Sequence, residues 1–296
     1  MKTAVGVLLL LVLAASGLAA DVSVAPADAP QWELSLALGE GRSDLKTSYE
    51  HRFTPGVEFQ PDSGGSARQD LELRGEDDTT WRIGVRRMSN PRLGVQVLLG
   101  GADIPLGGVS TPLAVDVEYT STQPPDYVPT PATFASSTPW PDPTGDIELD
   151  YLCLNLLARA RTQKRVQLGL SGGLSVFSFE ADVSSLGYQT FWLGGHGVLF
   201  METYEIRVES DRGSTVGGNL GGEIDVRLGD RWRAFAEVRA FSSSAADLRL
   251  APREIVIRDQ VRDDLSLREI GSQLDLGRLT VDPSFLSVSA GIRFRL

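Results

Sequence analysis

The 296-residue chain carries one cysteine and two histidines, and past its first twenty residues no apolar run is long enough to cross a membrane as a helix. Each scarcity excludes something. Cys153 has no second cysteine to join, so no intramolecular disulfide forms. His51, His196 and Cys153 are too few for a zinc pattern. Hydrolytic or acyl-transfer chemistry built on serine and histidine needs a base beside its nucleophile and a third group to orient it. His51 is followed by Arg52-Phe53 and His196 by Gly197-Val198. Neither context is a His-x-Ser arrangement or a nucleophile elbow, so no catalytic residue, metal or cofactor is expected. Basic excess is missing too. The formal net charge is −11, which argues against a nucleic-acid partner. Strong helical periods are scarce and glycine is abundant, a balance that favours strands and turns.

The amino terminus is the one place with a long apolar run. Lys2 precedes the stretch Ala4 to Ala15, and small residues follow at Ser16-Gly17-Leu18-Ala19-Ala20. This order of charged, apolar and small segments is that of a signal peptide. The run falls short of the roughly 20 apolar residues of a spanning helix. Cleavage is expected after Ala19 or Ala20. No cysteine follows that would take a lipid anchor. Residues 1–20 are therefore read as a signal peptide, 21–30 as a periplasmic segment and 31–296 as one domain. An exported chain that enters a membrane without further helices must close into a barrel, because only those two structures satisfy every backbone group in lipid.

The last strand is the clearest. From Leu286 the chain reads LSVSAGIRFRL, with Leu286, Val288, Ala290, Ile292, Phe294 and Leu296 on one face. Ser287, Ser289, Gly291, Arg293 and Arg295 take the other. Period-two alternation over about 9–11 residues suits a transmembrane strand. It also suits the half-buried strand of a soluble sandwich. The pattern Ser289-x-Gly291-x-x-Phe294-x-Leu296 resembles the C-terminal assembly signal of small bacterial outer-membrane β-barrels, the class that includes the OmpA transmembrane domain. Leu296 stands where that family usually ends on Phe. The resemblance implies an outer-membrane location, lipid around the wall, and barrel-assembly machinery that engages the last strand.

Three tight connections join alternating runs as hairpins: Ser89-Asn90-Pro91, Thr162-Gln163-Lys164 and Gly229-Asp230-Arg231. Longer polar stretches near 42–78, 102–146, 179–216 and 243–283 lie between them. Short turns alternating with long loops suit a small outer-membrane barrel with both termini periplasmic. The fold class is all-β: a closed antiparallel up-and-down transmembrane barrel. Eight strands are expected, at 31–40, 79–88, 92–101, 150–161, 165–177, 219–228, 231–241 and 285–296. An even count lets the first and last strands pair. Ten is the rival count, because Tyr188–Leu193 and Val198–Val208 flank the turn Gly194-Gly195-His196-Gly197.

One face of these strands is aliphatic: Leu93, Val95, Val97 and Leu99; Leu152, Leu154 and Leu156; Val166, Leu168 and Leu170; Ile224, Val226 and Leu228. Trp32, Trp81, Trp232 and Phe294 fall near strand ends, where an aromatic girdle would lie. The other face carries Gln96, Asn155 and a charge set of Glu33, Arg82, Arg86, Arg159, Arg161, Glu223, Asp225, Arg227, Arg233, Glu237, Arg239, Arg293 and Arg295. An eight-stranded interior is just wide enough for side chains to fill, and buried charges must pair. Glu223, Asp225 and Glu237 are expected to pair with Arg227, Arg233 and Arg239 on neighbouring strands. A salt-bridged plug or a narrow anion-favouring passage would both fit. In the loops, seven prolines between Pro124 and Pro143 suggest a stiff segment without a regular ladder. Phe191 to Met201 reads as a partner contact or as barrel wall. Glu76-Asp77-Asp78, Asp259 and Asp263-Asp264 read as solvated charge or as attractors of divalent cations. Three functions stay open: a structural or surface-contact barrel, whose loops meet an extracellular partner; a narrow pore or carrier for small solutes; and a soluble exported β-sandwich binding module.

Overall fold

The computed structural model describes residues 31–43, 45–58, 64–122, 129–161, 165–194, 197–257, 260–261 and 267–296. The proposed signal segment and the segment at 21–30 lie outside them. Eight strands form the closed wall: β1 (Gln31–Ser43), β5 (Asp78–Met88), β6 (Leu93–Ser110), β9 (Gly145–Arg161), β10 (Val166–Gly194), β12 (Gly213–Arg227), β13 (Trp232–Ser243) and β18 (Phe285–Arg295). Each pairs antiparallel with the next around the ring. β1 and β18 close it in a register that runs from Glu33 opposite Arg295 to Ser43 opposite Phe285. The wall has no free edge. This is the eight-stranded transmembrane barrel, and the sandwich alternative falls because one sheet closes on itself. Among the described residues no helix is long and apolar enough to cross a membrane.

Both chain ends of the ring and the short turns share one end, called here the near end. The turn after β5 is held by Asn90, whose Oδ1 accepts from the amides of Arg92 and Leu93, both at 2.8 Å. The turn after β12 is closed by the Leu228 amide on the Trp232 carbonyl at 3.0 Å. Residues 162–164 lie outside the described part.

Alternation sets the two faces. Leu34, Leu36, Leu93, Val95, Leu152, Leu154, Leu156, Leu168, Leu170, Ile224, Val226, Val288 and Ile292 are exposed on the outer wall. On β10 the outward apolar positions run from Val166 to Val176. Ten steps of about 3.3 Å, tilted by about 40°, span about 25 Å, the height of an outer-membrane apolar band. Trp232 packs on Phe294 with ring centroids 4.8 Å apart, and the Arg87 guanidinium lies over Trp32 at 5.6 Å. These mark the near-end rim. Trp81 is higher, opposite Leu38 on β1.

The wall does not stop at the band. At the far end the four long connections fold as β2 (Lys46–Phe53), β3 (Gly56–Glu58), β4 (Gly64–Gly75), β7 (Leu113–Thr122), β8 (Pro129–Thr138), β11 (Gly197–Ser210), β14 (Ala246–Ile257), β15 (Gln260–Val261), a one-turn helix α1 (Leu267–Gly271), β16 (Leu274–Asp275) and β17 (Arg278–Val281). The stretches read as polar loops are thus largely strand. Of the proline-rich segment, Pro129 and Pro131 lie in a regular ladder, with Thr120 opposite Pro131 and Leu113 opposite Thr138. Pro139, Pro141 and Pro143 follow it outside any strand, and Pro124 and Pro125 lie outside the described residues. Tyr188–Leu193 and Val198–Val208 do form a hairpin. It stands above the band, where β11 continues to β14 rather than entering the eight-stranded ring. That removes the ten-strand alternative.

Above the band the faces exchange character. On β9 the outward series Leu156, Leu154, Leu152 gives way to Asp150, Glu148, Asp146. The inward series changes from Arg159 and Asn155 to Tyr151, Leu149 and Ile147. β10 does the same where inward Ser171 and Ser175 are followed by Phe177, Phe179, Ala181 and Val183. Lipid outside selects apolar residues at outward positions. Water outside selects polar ones and drives the apolar side chains into an ordinary core. That core contains Tyr49, Phe53, Leu71, Leu113, Val117, Leu186, Phe191, Ile206 and Leu279.

Candidate functional site

The barrel lumen is the site the sequence marks out. Inward positions bring Glu33 from β1, Arg82 and Arg86 from β5, Arg159 from β9, Glu223 and Asp225 from β12, Glu237 and Arg239 from β13 and Arg293 from β18 into one buried cluster. Arg82 donates to both Glu237 oxygens at 3.3 and 3.0 Å and to Ser289 Oγ at 2.7 Å. Arg86 grips Glu223 with both terminal nitrogens, one at 2.6 Å. Arg159 grips Glu33 at 3.0 and 2.5 Å and lies 3.7 Å from Asp225. Arg293 bonds Asp225, donates to Glu223 at 3.2 Å, and covers the Phe235 ring at 4.4 Å. Arg239 donates to Glu237 at 2.5 Å and to Asn219 and Ser171. Bidentate guanidinium–carboxylate pairs are the strong form of charge-assisted hydrogen bond, and here they lie away from water.

The partners differ from the neighbouring-strand pairing expected of Glu223, Asp225 and Glu237. Arg86 and Glu223 come from β5 and β12, on opposite sides of the ring. Arg82–Glu237 and Arg159–Glu33 each join strands three places apart. In so narrow a barrel inward side chains converge on the axis, so a guanidinium reaches the facing wall as readily as its neighbour. Of the expected pairs only Arg239–Glu237 forms, within β13. Arg227 is a correction. It is the last residue of β12, turns outward, and pairs with exposed Asp230 at 2.8 Å. Arg233 is half-buried at the near-end mouth, 3.7 Å from Glu33 and donating to Gln167 at 2.5 Å. Arg295 is half-buried at the rim. Arg161 closes β9 as a backbone position opposite Gln167, and its side chain lies outside the described residues. In the terminal motif, Ser289 and Gly291 face inward, Phe294 packs on Trp232, and the Leu296 amide donates to the Trp32 carbonyl at 3.0 Å.

An aromatic layer that the sequence reading missed closes the lumen above the charges. Tyr151, Phe177, Phe241 and Phe285 are buried together, with Phe241 stacked on Phe285 at 4.3 Å and Tyr151 4.8 Å from Phe241. Their signal was available: Tyr151 shares the parity of Asn155 and Arg159, and Phe241 that of Glu237 and Arg239.

His51 is buried in the upper core, stacked on Phe53 at 5.3 Å. Its Nε2 donates to the Gly187 carbonyl at 2.9 Å, and Nδ1 has no partner among the described residues. Burial pulls its pKa down to about 4, against smaller opposing effects of Gly187 and Asp275. His196 lies outside the described residues. Of the acidic groups, Asp78 accepts from the Asp103 amide at 2.7 Å, and Asp259, Asp263 and Asp264 lie outside the described part. Among the described residues no group of three His, Cys, Asp or Glu side chains is placed to hold a metal.

No protein-family model matches the chain, and no curated protein sequence matches it. Among solved structures it is similar to the outer membrane protein OprG from Pseudomonas aeruginosa, at 11% identity and a TM-score of 0.43, over 91% of this chain and 97% of that one. It is similar to Ail, the attachment invasion locus protein of Yersinia pestis, at 11% identity and TM-score 0.32, over 88% and 98%. It is similar to the outer membrane protease OmpT from Escherichia coli at 10% identity and TM-score 0.37, over 94% and 99%.

Proposed function

We propose that this chain is a bacterial outer-membrane barrel, exported with a cleaved signal, whose role is structural or one of surface contact rather than solute passage or catalysis. The observation that carries this reading is the filled lumen. A cross-barrel ion-pair network and an aromatic layer occupy the space a pore would need, and an apolar core continues above them. The outward apolar band supports a wall facing lipid, and the tall strand extension with its polar exterior supports an extracellular contact surface. The last strand, with Ser289, Gly291, Phe294 and Leu296, is the segment offered to the assembly machinery. Cell fractionation tests the proposal: the mature protein should sediment with outer membranes and run faster on a gel when unboiled, as folded barrels do. Recovery from the soluble periplasm without detergent would overturn it.

A further inference from the structure

Below the charge network the lumen opens into a recess of about 140 Å³ at the near-end mouth, lined by Gln31, Asn90, Arg159, Gln167 and Arg233 together with Met88 and Pro91. A water's share of liquid volume is about 30 Å³, so the recess has room for a tetrahedral oxyanion. The charge around it is unbalanced. The buried acids are Glu33, Glu223, Asp225 and Glu237, against Arg82, Arg86, Arg159, Arg239 and Arg293, with Arg233 beside them at the mouth. The surplus is positive in two places. Arg82 and Arg239 share Glu237 away from the recess. At the recess Arg233 is added to Arg86, Arg159 and Arg293, which Glu33, Glu223 and Asp225 already balance. Arg159 gives both terminal nitrogens to Glu33, and its buried Nε has no hydrogen-bond partner among the described residues. Among the described residues Arg233 bonds only the neutral Gln167 amide oxygen, and its nearest carboxylate, on Glu33, is beyond hydrogen-bond distance at 3.7 Å. A half-buried guanidinium with unused donors is costly without a counter-charge, and none of the described side chains supplies a full one.

We propose that this recess is an oxyanion site that holds one phosphate group at the near end, with Arg233 as the principal ligand, Gln167, Gln31 and Asn90 as neutral polar partners and Arg159 behind them. The site is independent of what the far end contacts and does not require a pore. A free phosphate ion and the phosphate of a lipid headgroup share this chemistry, and both can reach the mouth.

The test uses the full folded barrel in a zwitterionic detergent and chloride buffer. Equilibrium dialysis with radiolabelled inorganic phosphate should give one saturable site per barrel. Arg233→Gln should weaken binding by about tenfold or more, the value of one charge-assisted contact, with the unboiled gel shift retained. Gln167→Glu places a carboxylate beside Arg233 and should abolish binding while keeping a folded barrel, which preserves the test if Arg233→Gln misfolds. Dihexanoyl phosphatidylglycerol that displaces the label at far lower concentration than unlabelled phosphate assigns the site to a lipid headgroup, and the reverse order assigns it to the free ion. Absence of saturable binding by either probe, or wild-type affinity in Gln167→Glu, would overturn the site.

Discussion

The lumen's stability rests on single carboxylates shared by several arginines. Glu223 accepts from Arg86 and Arg293 and has Arg159 Nε at 4.0 Å. Removing its charge leaves buried Arg86 without a carboxylate and Arg293 hydrogen-bonded to Asp225 alone among the described carboxylates. Glu223→Gln should therefore lower unfolding stability in detergent by about 3–5 kcal/mol. Asp230→Asn, which breaks only the exposed pair with Arg227, should cost about 0–1 kcal/mol. Equal costs would mean that the lumen is hydrated and screened. His51 makes a second prediction. Its folded pKa, about 4, lies below the ordinary 6.5, so the unfolded chain binds the extra proton first. Stability is then full above pH 6.5 and is lost as pH falls toward 4, by about 3 kcal/mol at most. His51→Phe keeps a ring beside Phe53 and removes the titration. Denaturant midpoints at pH 7.5 and 4.5 should fall further for the wild type than for this variant, and parallel profiles would refute the assignment.

The last strand shows how depth and direction set the cost of a change. Ala290 faces lipid near the middle of β18, and Leu296 lies at the near-end rim. Ala290→Arg should destabilise the barrel by about 2–4 kcal/mol, and Leu296→Arg by about 0–1 kcal/mol. Refolding titrations into lipid vesicles measure both, and indifference to depth would refute the placement of the band. Gly291 faces inward at the seam, where a Cβ would overlap the carbonyl oxygen of Leu36 on β1. Close approach of two backbones requires glycine there. Gly291→Val should cost about 1–3 kcal/mol through the displaced β1–β18 seam. It should reduce the heat-modifiable fraction while processing of the signal continues.

For the whole molecule, topology has a convenient chemical marker. The chain has lysines only at positions 2, 46 and 164. Lys46 is exposed on β2 at the far end, and Lys164 falls in the sequence between β9 and β10, whose adjoining ends at Arg161 and Val166 are at the near end. A membrane-impermeant amine reagent on intact cells should modify Lys46 and spare Lys164, and Lys46→Arg should abolish that labelling. Preferential modification of Lys164 would invert the orientation. Purified protein in planar bilayers should hold conductance near zero, because the ion-pair network and the Tyr151, Phe177, Phe241 and Phe285 layer fill the lumen. Reproducible anion-selective conductance that unfolding abolishes would restore the pore reading.

The alternation of residues by itself determined the eight wall strands, their order and their two faces. Strand period is a local property of the backbone, and a chain such as Leu286–Leu296 displays it without reference to any neighbour. The inward set from Glu33 to Arg293 was legible for the same reason. Alternation states that two faces differ, however, and not which medium each one meets. Tyr49, His51 and Phe53 on β2, or Leu113, Val115 and Val117 on β7, carry the same period with the opposite sense, so the far-end walls read as polar loops. Only the closed structure decided where lipid gives way to water and the faces exchange roles. It also decided the partners in the lumen. Arg86 and Glu223 are 137 residues apart and meet because a ring of eight strands brings opposite walls within reach of one side chain, a distance that closure sets and no local pattern records.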